Sequence, residues 1–178
     1  MKKYGLIALL SFGFMSNTWA LDFGLGVSIK SHDNAIYAPI RVSESFLIEP
    51  YYRQNEYKSS NDFSSSGNEQ EEIGLGVFST LTDENDIRVY FGLRAGYVER
   101  INYYQSATGY FSDKNDGYRF SPTVGFEYML LKSLALSGEA EWYKYKLDGH
   151  RTDDGVKERI DFSSKGTDTH IIVRYYFD

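Results

Sequence analysis

Leu21-Asp22-Phe23-Gly24-Leu25-Gly26-Val27-Ser28-Ile29-Lys30 decides the fold. Leu21, Phe23, Leu25, Val27 and Ile29 hold the odd positions, and acidic, small or polar residues and Lys30 hold the even ones. A period of two is a strand with one apolar face. The pattern recurs along the chain. Further apolar rows are Ile36, Ala38, Ile40, Val42; Phe46, Ile48, Pro50, Tyr52; and Ile73, Leu75, Val77. The longest is Ile87, Val89, Phe91, Leu93, Ala95, Tyr97. Phe120, Pro122, Val124, Phe126, Tyr128 follow, then Leu134, Leu136, Ala140, Trp142, and last Ile171, Val173, Tyr175, Phe177. These rows predict eight strands, and no segment after residue 20 has a helical period.

The connections fall into two groups. Those near Ser43–Ser45, Thr80–Asp86 and Leu131–Ser133 are short. Those over Lys58–Glu69, Ile101–Gly117 and Leu147–Gly166 are polar and rich in Ser, Asn, Asp and Gly, which reads as long solvated loops. Ser31–Ala35 is a short connection on the long-loop side. Short turns at one end and long loops at the other is the layout of an outer-membrane barrel. The expected fold is therefore all-β: an eight-stranded antiparallel up-and-down transmembrane barrel.

Composition narrows the function classes. The 178 residues include 25 Asp+Glu, 19 Lys+Arg and no cysteine, with a net charge of −6. No thiolate chemistry or disulfide framework is available. The acidic balance argues against nucleic acid as a partner, because phosphate backbones reward clustered cations. No apolar run is long enough for a helical crossing.

The first twenty residues read as an export signal. Met1-Lys2-Lys3 is a positive start, Tyr4–Met15 an apolar core, and Thr18 and Ala20 fit the −3 and −1 sites before a cleavage. Residues 1–20 are thus expected to be removed and residues 21–178 to form the barrel domain. Losing Lys2 and Lys3 changes the net charge from −6 to −8.

Alternation alone does not say which face is inside. Gly24, Gly26, Gly74, Gly76, Gly92, Gly96 and Gly125 all lie in the polar rows, where a narrow interior is crowded. Aromatics such as Tyr97, Tyr118, Tyr128, Trp142 and Tyr175 gather near strand ends, as in interfacial girdles. Both features favour apolar rows facing lipid over a soluble periplasmic barrel.

The segment SPTVGFEYMLLKSLALSGEAEWYKY, Ser121–Tyr145, resembles the last hairpins of small eight-stranded outer-membrane barrels. Among these are the barrel domain of outer membrane protein A, outer membrane protein X and the opacity-type surface antigens. The closing THIIVRYYF is similar to their C-terminal assembly signal, with Asp178 added after Phe177. The resemblance implies a monomer in the Gram-negative outer membrane, inserted by the barrel-assembly machinery through its last strand.

With apolar rows outward, the lumen receives Glu49, Arg53, Arg88, Arg94, Arg119, Glu127, Glu139, Glu141 and Arg174. Buried charges must pair, so these predict an internal network, with Arg88 near Glu127 and Glu139 near Arg174. No metal-ligand spacing or cofactor motif is present, and none is expected. Ser31-His32-Asp33 lies in one tight connection, His150 in a loop and His170 in a lumen row, an unpromising set for a Ser–His–acid site. The protein is not expected to be an enzyme. Glu69-Gln70-Glu71-Glu72 reads as a solvated strand entrance. Candidate loop contacts are Tyr103, Tyr104, Tyr110, Phe111, Arg151 and Arg159, suited to a host or envelope surface ligand; lipopolysaccharide is the expected lipid partner. The expected role is structural or surface-interacting, by adhesion or envelope integrity. The alternatives are a narrow pore and a lipid-modifying enzyme.

Overall fold

The computed structural model describes residues 22–29, 34–61, 63–106, 109–153 and 155–177. The expected signal segment with its expected cleavage site before Leu21, Ser31-His32-Asp33 and Asp178 lie outside these residues. The described chain is all-β: β1 (Asp22–Ser28), β2 (Asn34–Tyr37), β3 (Ile40–Ser43), β4 (Phe46–Ser60), β5 (Ser64–Glu84), β6 (Ile87–Ser106), β7 (Gly109–Leu131), β8 (Leu134–Asp153) and β9 (Val156–Phe177).

The nine segments make eight staves, because β2 and β3 are two halves of one. Both lie between β1 and β4. The break falls at Ala38-Pro39, where proline has no N–H to give the ladder. The stave stays stitched on both sides: Gly24 N donates to the Pro39 carbonyl and Ala38 N to the Pro50 carbonyl, each at 2.8 Å. Consecutive staves pair antiparallel, and β1 closes the ring against β9 from Phe23↔Phe177 to Ser28↔Ile172.

The short turns behave as expected. Asn85 and Asp86 both take positive φ, 53° and 64°, which makes the β5–β6 link a two-residue hairpin turn of the primed kind. Each short turn also offers a carbonyl to the next stave: Ser45 accepts from Thr80 N, Asp86 from Met129 N and Ser133 from Tyr176 N. Register shifts sit beside all three turns, within 41–43, 80–82 and 129–131, as bulges do at barrel rims.

The other end corrects the sequence reading. The three long polar connections are not loops. β4 and β5 pair up to Ser60↔Ser65, β6 and β7 up to Ser106↔Gly109, and β8 and β9 up to Asp153↔Val156. Strands β5 to β9 run 20 to 23 residues, about twice the ~9–11 of a tilted crossing. Polar residues read as loop because the outward face of these strands carries no apolar row, although their period-two pairing persists. β1 leaves β9 after Ile29 N bonds the Ile171 carbonyl at 2.9 Å, and β2 begins only opposite Gln54. Beyond that level the described residues form an open six-stranded sheet, β4 to β9, standing on the closed barrel.

The wall has the polarity expected of a transmembrane barrel. Leu25, Phe126 and Ile171 are 48%, 53% and 56% exposed on the outside, while Arg94 and Arg174 are fully buried within.

Candidate functional site

The lumen is built by alternate residues of neighbouring strands, and the ladder sets which of them meet. At the turn end, Glu127 accepts from Arg88 Nη1 at 2.7 Å, from the Tyr176 hydroxyl at 2.8 Å and from Ser137 Oγ at 3.2 Å. Arg88 also bonds Asp83 at 2.7 and 3.0 Å near the rim. Arg174 sits deeper. Its guanidinium reaches Glu49 at 2.7 Å, Glu139 at 2.8 Å, Ser137 Oγ at 2.7 Å, the Tyr90 oxygen at 2.9 Å and Glu127 at 3.4 Å.

Arg94 occupies the middle. It donates to Glu49 and Glu139 at 2.5 Å and to Glu141 at 2.6 Å. Above it, Arg53 grips both oxygens of Glu141, a bidentate geometry that a guanidinium matches. Arg119 bridges Glu72 at 3.2 Å and Glu141 at 2.9 Å. Thus five guanidinium groups, Arg53, Arg88, Arg94, Arg119 and Arg174, meet five carboxylates, Glu49, Glu72, Glu127, Glu139 and Glu141. The interior charge balances, which is what a low-dielectric interior requires.

All nine lumen residues named from the sequence therefore fall in one connected network, and the pairs Arg88–Glu127 and Glu139–Arg174 are in contact. Glu72 is a correction. Read as part of a solvated entrance, it is 2% exposed and takes bonds from Arg119 and the Tyr51 hydroxyl, the latter at 2.5 Å. Its parity with Gly74 and Gly76 was the available signal. The lumen tyrosines were missed as well. Tyr90 donates to Glu139 at 2.6 Å. The Tyr37 ring lies 5.1 Å from the Arg94 guanidinium and that of Phe78 4.9 Å from it. The lumen glycines make room for these rings. A Cβ on Gly125 would lie 2.5 Å from the Tyr90 ring, and one on Gly74 2.5 Å from that of Tyr51.

Above the charges lies an apolar cap. Val98 and Leu147 are fully buried with Tyr145, and Tyr143 packs against them. Arg119 lies 4.5 Å from the Tyr143 ring, so the cap rests directly on the network. At the turn end, the space between Arg41, Leu47, Arg88 and Tyr176 is about 10 Å³, no larger than one water. The lumen is plugged at both levels.

The remaining candidates are scattered. His170 is buried, with Nε2 3.7 Å from both Glu141 and Asp168. His150 is on the outside, opposite Lys114 and Arg159. Glu139 and Glu141 share Arg94, so neither is placed as a free acid or base. At the hairpin tips Tyr104 and Tyr110 are exposed. Arg151 stacks on Phe111 at 4.8 Å and bonds Asp113 at 3.1 Å. Tyr103 lies across Gly67 of β5, and Arg159 pairs with Asp161 at 3.7 Å. Among the described residues no cluster of metal-ligating side chains occurs.

No protein-family profile matches the chain, and no curated protein matches it in sequence. Solved structures share its shape. A major outer membrane protein from Thermus thermophilus aligns over 88% of this chain and 97% of its own, with 12% identity and a TM-score of 0.59. CarO and CarO2 of Acinetobacter baumannii align over 91% and 90% of this chain and 100% of their own. Their identities are 10% and 9%, and their TM-scores 0.46 and 0.47. The chain has the fold of an outer-membrane β-barrel, and the likeness does not single out the outer membrane protein A, outer membrane protein X or opacity-type group.

Proposed function

We propose that this is a monomeric, non-enzymatic bacterial outer-membrane protein. It is exported through a signal cleaved after Ala20 and inserted through its C-terminal strand. Its lumen is closed, so its contacts with surface ligands fall to the β-sheet that stands above the barrel. The carrying observation is the lumen itself: Arg94 and Arg174, both fully buried, tie Glu49, Glu139 and Glu141 across the bore, beneath the Val98–Tyr145–Leu147 cap. Ions crossing would have to part several buried charge-assisted bonds at once. That leaves the tips, with exposed Tyr104 and Tyr110 and the Phe111–Arg151–Asp113 cluster, as the surface able to recognise a partner.

The test is conductance of the purified barrel in a planar bilayer, after membrane fractionation and heat-modifiable gel mobility establish where and how it is folded. No stepwise current is expected. Steady unitary conductance from the folded wild type would make the protein a pore.

A further inference from the structure

One cavity along the described wall lies outside the lumen. It is an outward trough of about 980 Å³ on β6 to β9, lined among others by Tyr97, Tyr118, Phe120, Lys144 and Lys146. Its side chains alternate with those that face the interior, so it opens on the surface that continues the lipid-facing wall.

Five of the ten lysines of the chain are on this outer face of β7 to β9: Lys114, Lys144, Lys146, Lys157 and Lys165, all exposed. None forms an ion pair among the described residues, whereas Lys58 on the β4–β5 hairpin pairs with both Glu56 and Glu69. The arginines of the barrel wall behave oppositely, with Arg53, Arg94, Arg119 and Arg174 turned inward and each in an ion pair.

Position narrows the ligand. On β8 the outward row runs Leu134, Leu136, Gly138, Ala140, Trp142 and then Lys144, Lys146. The ladder sets Lys144 opposite Phe120 on one side and Lys165 on the other, and Lys146 opposite Tyr118 and Ser163. Lys144 is twelve residues along from the Lys132 turn. At ~3.3 Å per residue and a tilt of about 40° it stands roughly 30 Å up, just past the ~25 Å apolar band of such barrels. Unpaired ammonium groups at that level, beside Trp142, Phe120 and Tyr118, meet lipid headgroups rather than acyl chains or open solvent. The next outward row, Glu99, Asp116, Asp148 and Asp161, is acidic. It bounds the site above, since an anion is repelled from that level. The same ladder rows on β4 to β6 carry Pro50, Leu75 and Ala95, then Tyr52, Ile73 and Tyr97, so the cationic site occupies one side of the wall only.

We propose that Lys144, Lys146 and Lys165 bind the phosphate groups of the anionic glycolipid of the outer leaflet, with Trp142, Phe120 and Tyr118 packing along its apolar boundary. This rests on the outer-membrane reading above. The test uses the mature chain refolded in phosphatidylethanolamine vesicles, with bis-phosphorylated lipid A added in one series and its dephosphorylated form in another. Thermal midpoint and lipid retained in native mass spectrometry are read for the wild type, for Lys144→Gln/Lys146→Gln/Lys165→Gln and for the control Lys58→Gln/Lys132→Gln, whose lysines lie on the β4–β5 hairpin and at the short-turn end. Phosphorylated lipid A is expected to raise the midpoint of the wild type and the control. The triple variant should retain roughly tenfold less of it, because each surface cation contributes to anionic-lipid attraction. Equal retention by the triple variant overturns the site. So does equal retention of the dephosphorylated lipid, or an equal midpoint gain from inorganic phosphate alone. Failure of the wild type to insert into any vesicle overturns the membrane reading and this proposal with it, whereas insertion without a lipid A effect overturns this proposal alone.

Discussion

Strand β8 passes through two environments and reverses its polarity between them. Up to Trp142 the outward residues are Leu134, Leu136, Gly138, Ala140 and Trp142, and the inward ones include Ser137, Glu139 and Glu141. From Tyr143 on, the inward residues are Tyr143, Tyr145 and Leu147, and the outward ones Lys144, Lys146, Asp148 and His150. The alternation never breaks register; the medium outside it changes. Below, the wall meets lipid, so apolar groups go out and charges pair inside. Above, it meets the polar headgroup layer and then water, so charges go out and apolar groups are buried. The reversal places the upper membrane boundary at Trp142 from residue identity alone. It also means that the two halves of the molecule are held together by different forces.

The largest expected effect comes from breaking the lower half at its centre. Arg94→Met leaves Glu49, Glu139 and Glu141 short of a shared cation in a fully buried site. Removing one partner of a buried network costs about 3–5 kcal/mol. Arg88→Ala should cost much less, on the order of 1 kcal/mol, because Glu127 keeps Arg174, Tyr176 and Ser137 and the side chain reaches the rim. Urea unfolding of both variants in one lipid, followed by heat-modifiable mobility, checks the order. Similar losses for the two would show that the network does not depend on its centre.

The upper half should fail in a different way. Leu147 is fully buried in the cap against Val98 and Tyr145. Truncating a buried leucine costs about 2–5 kcal/mol in a well-packed core, but the sheet above Trp142 is open at β4 and β9 and can loosen locally. Leu147→Ala is therefore expected to raise amide exchange along the upper parts of β6 to β9 while shifting the midpoint of the barrel less than Arg94→Met does. A barrel midpoint lowered as far as by Arg94→Met, with unchanged exchange above, would make the two halves one cooperative unit.

The legibility of the chain follows the same division. Below Trp142 the period-two rows read correctly, because lipid outside and a crowded lumen inside constrain both faces at once. The pairing of Arg88 with Glu127 could be counted up from the short turns near Thr80–Asp86 and Leu131–Ser133. Above Trp142 the reading failed in kind. Leu147–Gly166 reads as a loop because its charges lie on the outward face, where a membrane strand carries its apolar row. The inward row of Tyr143, Tyr145 and Leu147 was legible, but only to a reader allowing the apolar face to switch sides. Glu72 failed for a related reason: four acidic or amide residues in a run read as solvated, although every second one faces the lumen. The convergence of Arg53, Arg94 and Arg119 on Glu141 was not legible, since it depends on how staves far apart in sequence face one another across the bore.

The smallest effect on stability, and the sharpest separation of the two halves, is expected from shortening the hairpins. Residues 103–112 begin and end at the ladder pair Tyr103↔Ser112, and residues 150–159 at His150↔Arg159. Replacing each block by Asn-Gly leaves Asn102 facing Asp113 and Gly149 facing Ile160, so the register below is untouched. Asn-Gly takes the primed two-residue turn that closes such a hairpin. The lumen network and the Val98–Tyr145–Leu147 cap keep all their members. The removed segments are paired mainly with each other, as hairpins that are marginal on their own, and shorter connections carry little entropic cost. The barrel should keep its heat-modifiable mobility, with its unfolding free energy changed by less than about 1 kcal/mol. Tyr104, Tyr110, Phe111 and Arg151 go with the deleted blocks, so any binding of whole cells to a surface ligand should be lost. A shortened barrel that no longer folds would show that the upper sheet supports the lower barrel. One that folds and keeps full surface binding would move recognition from the tips to the wall.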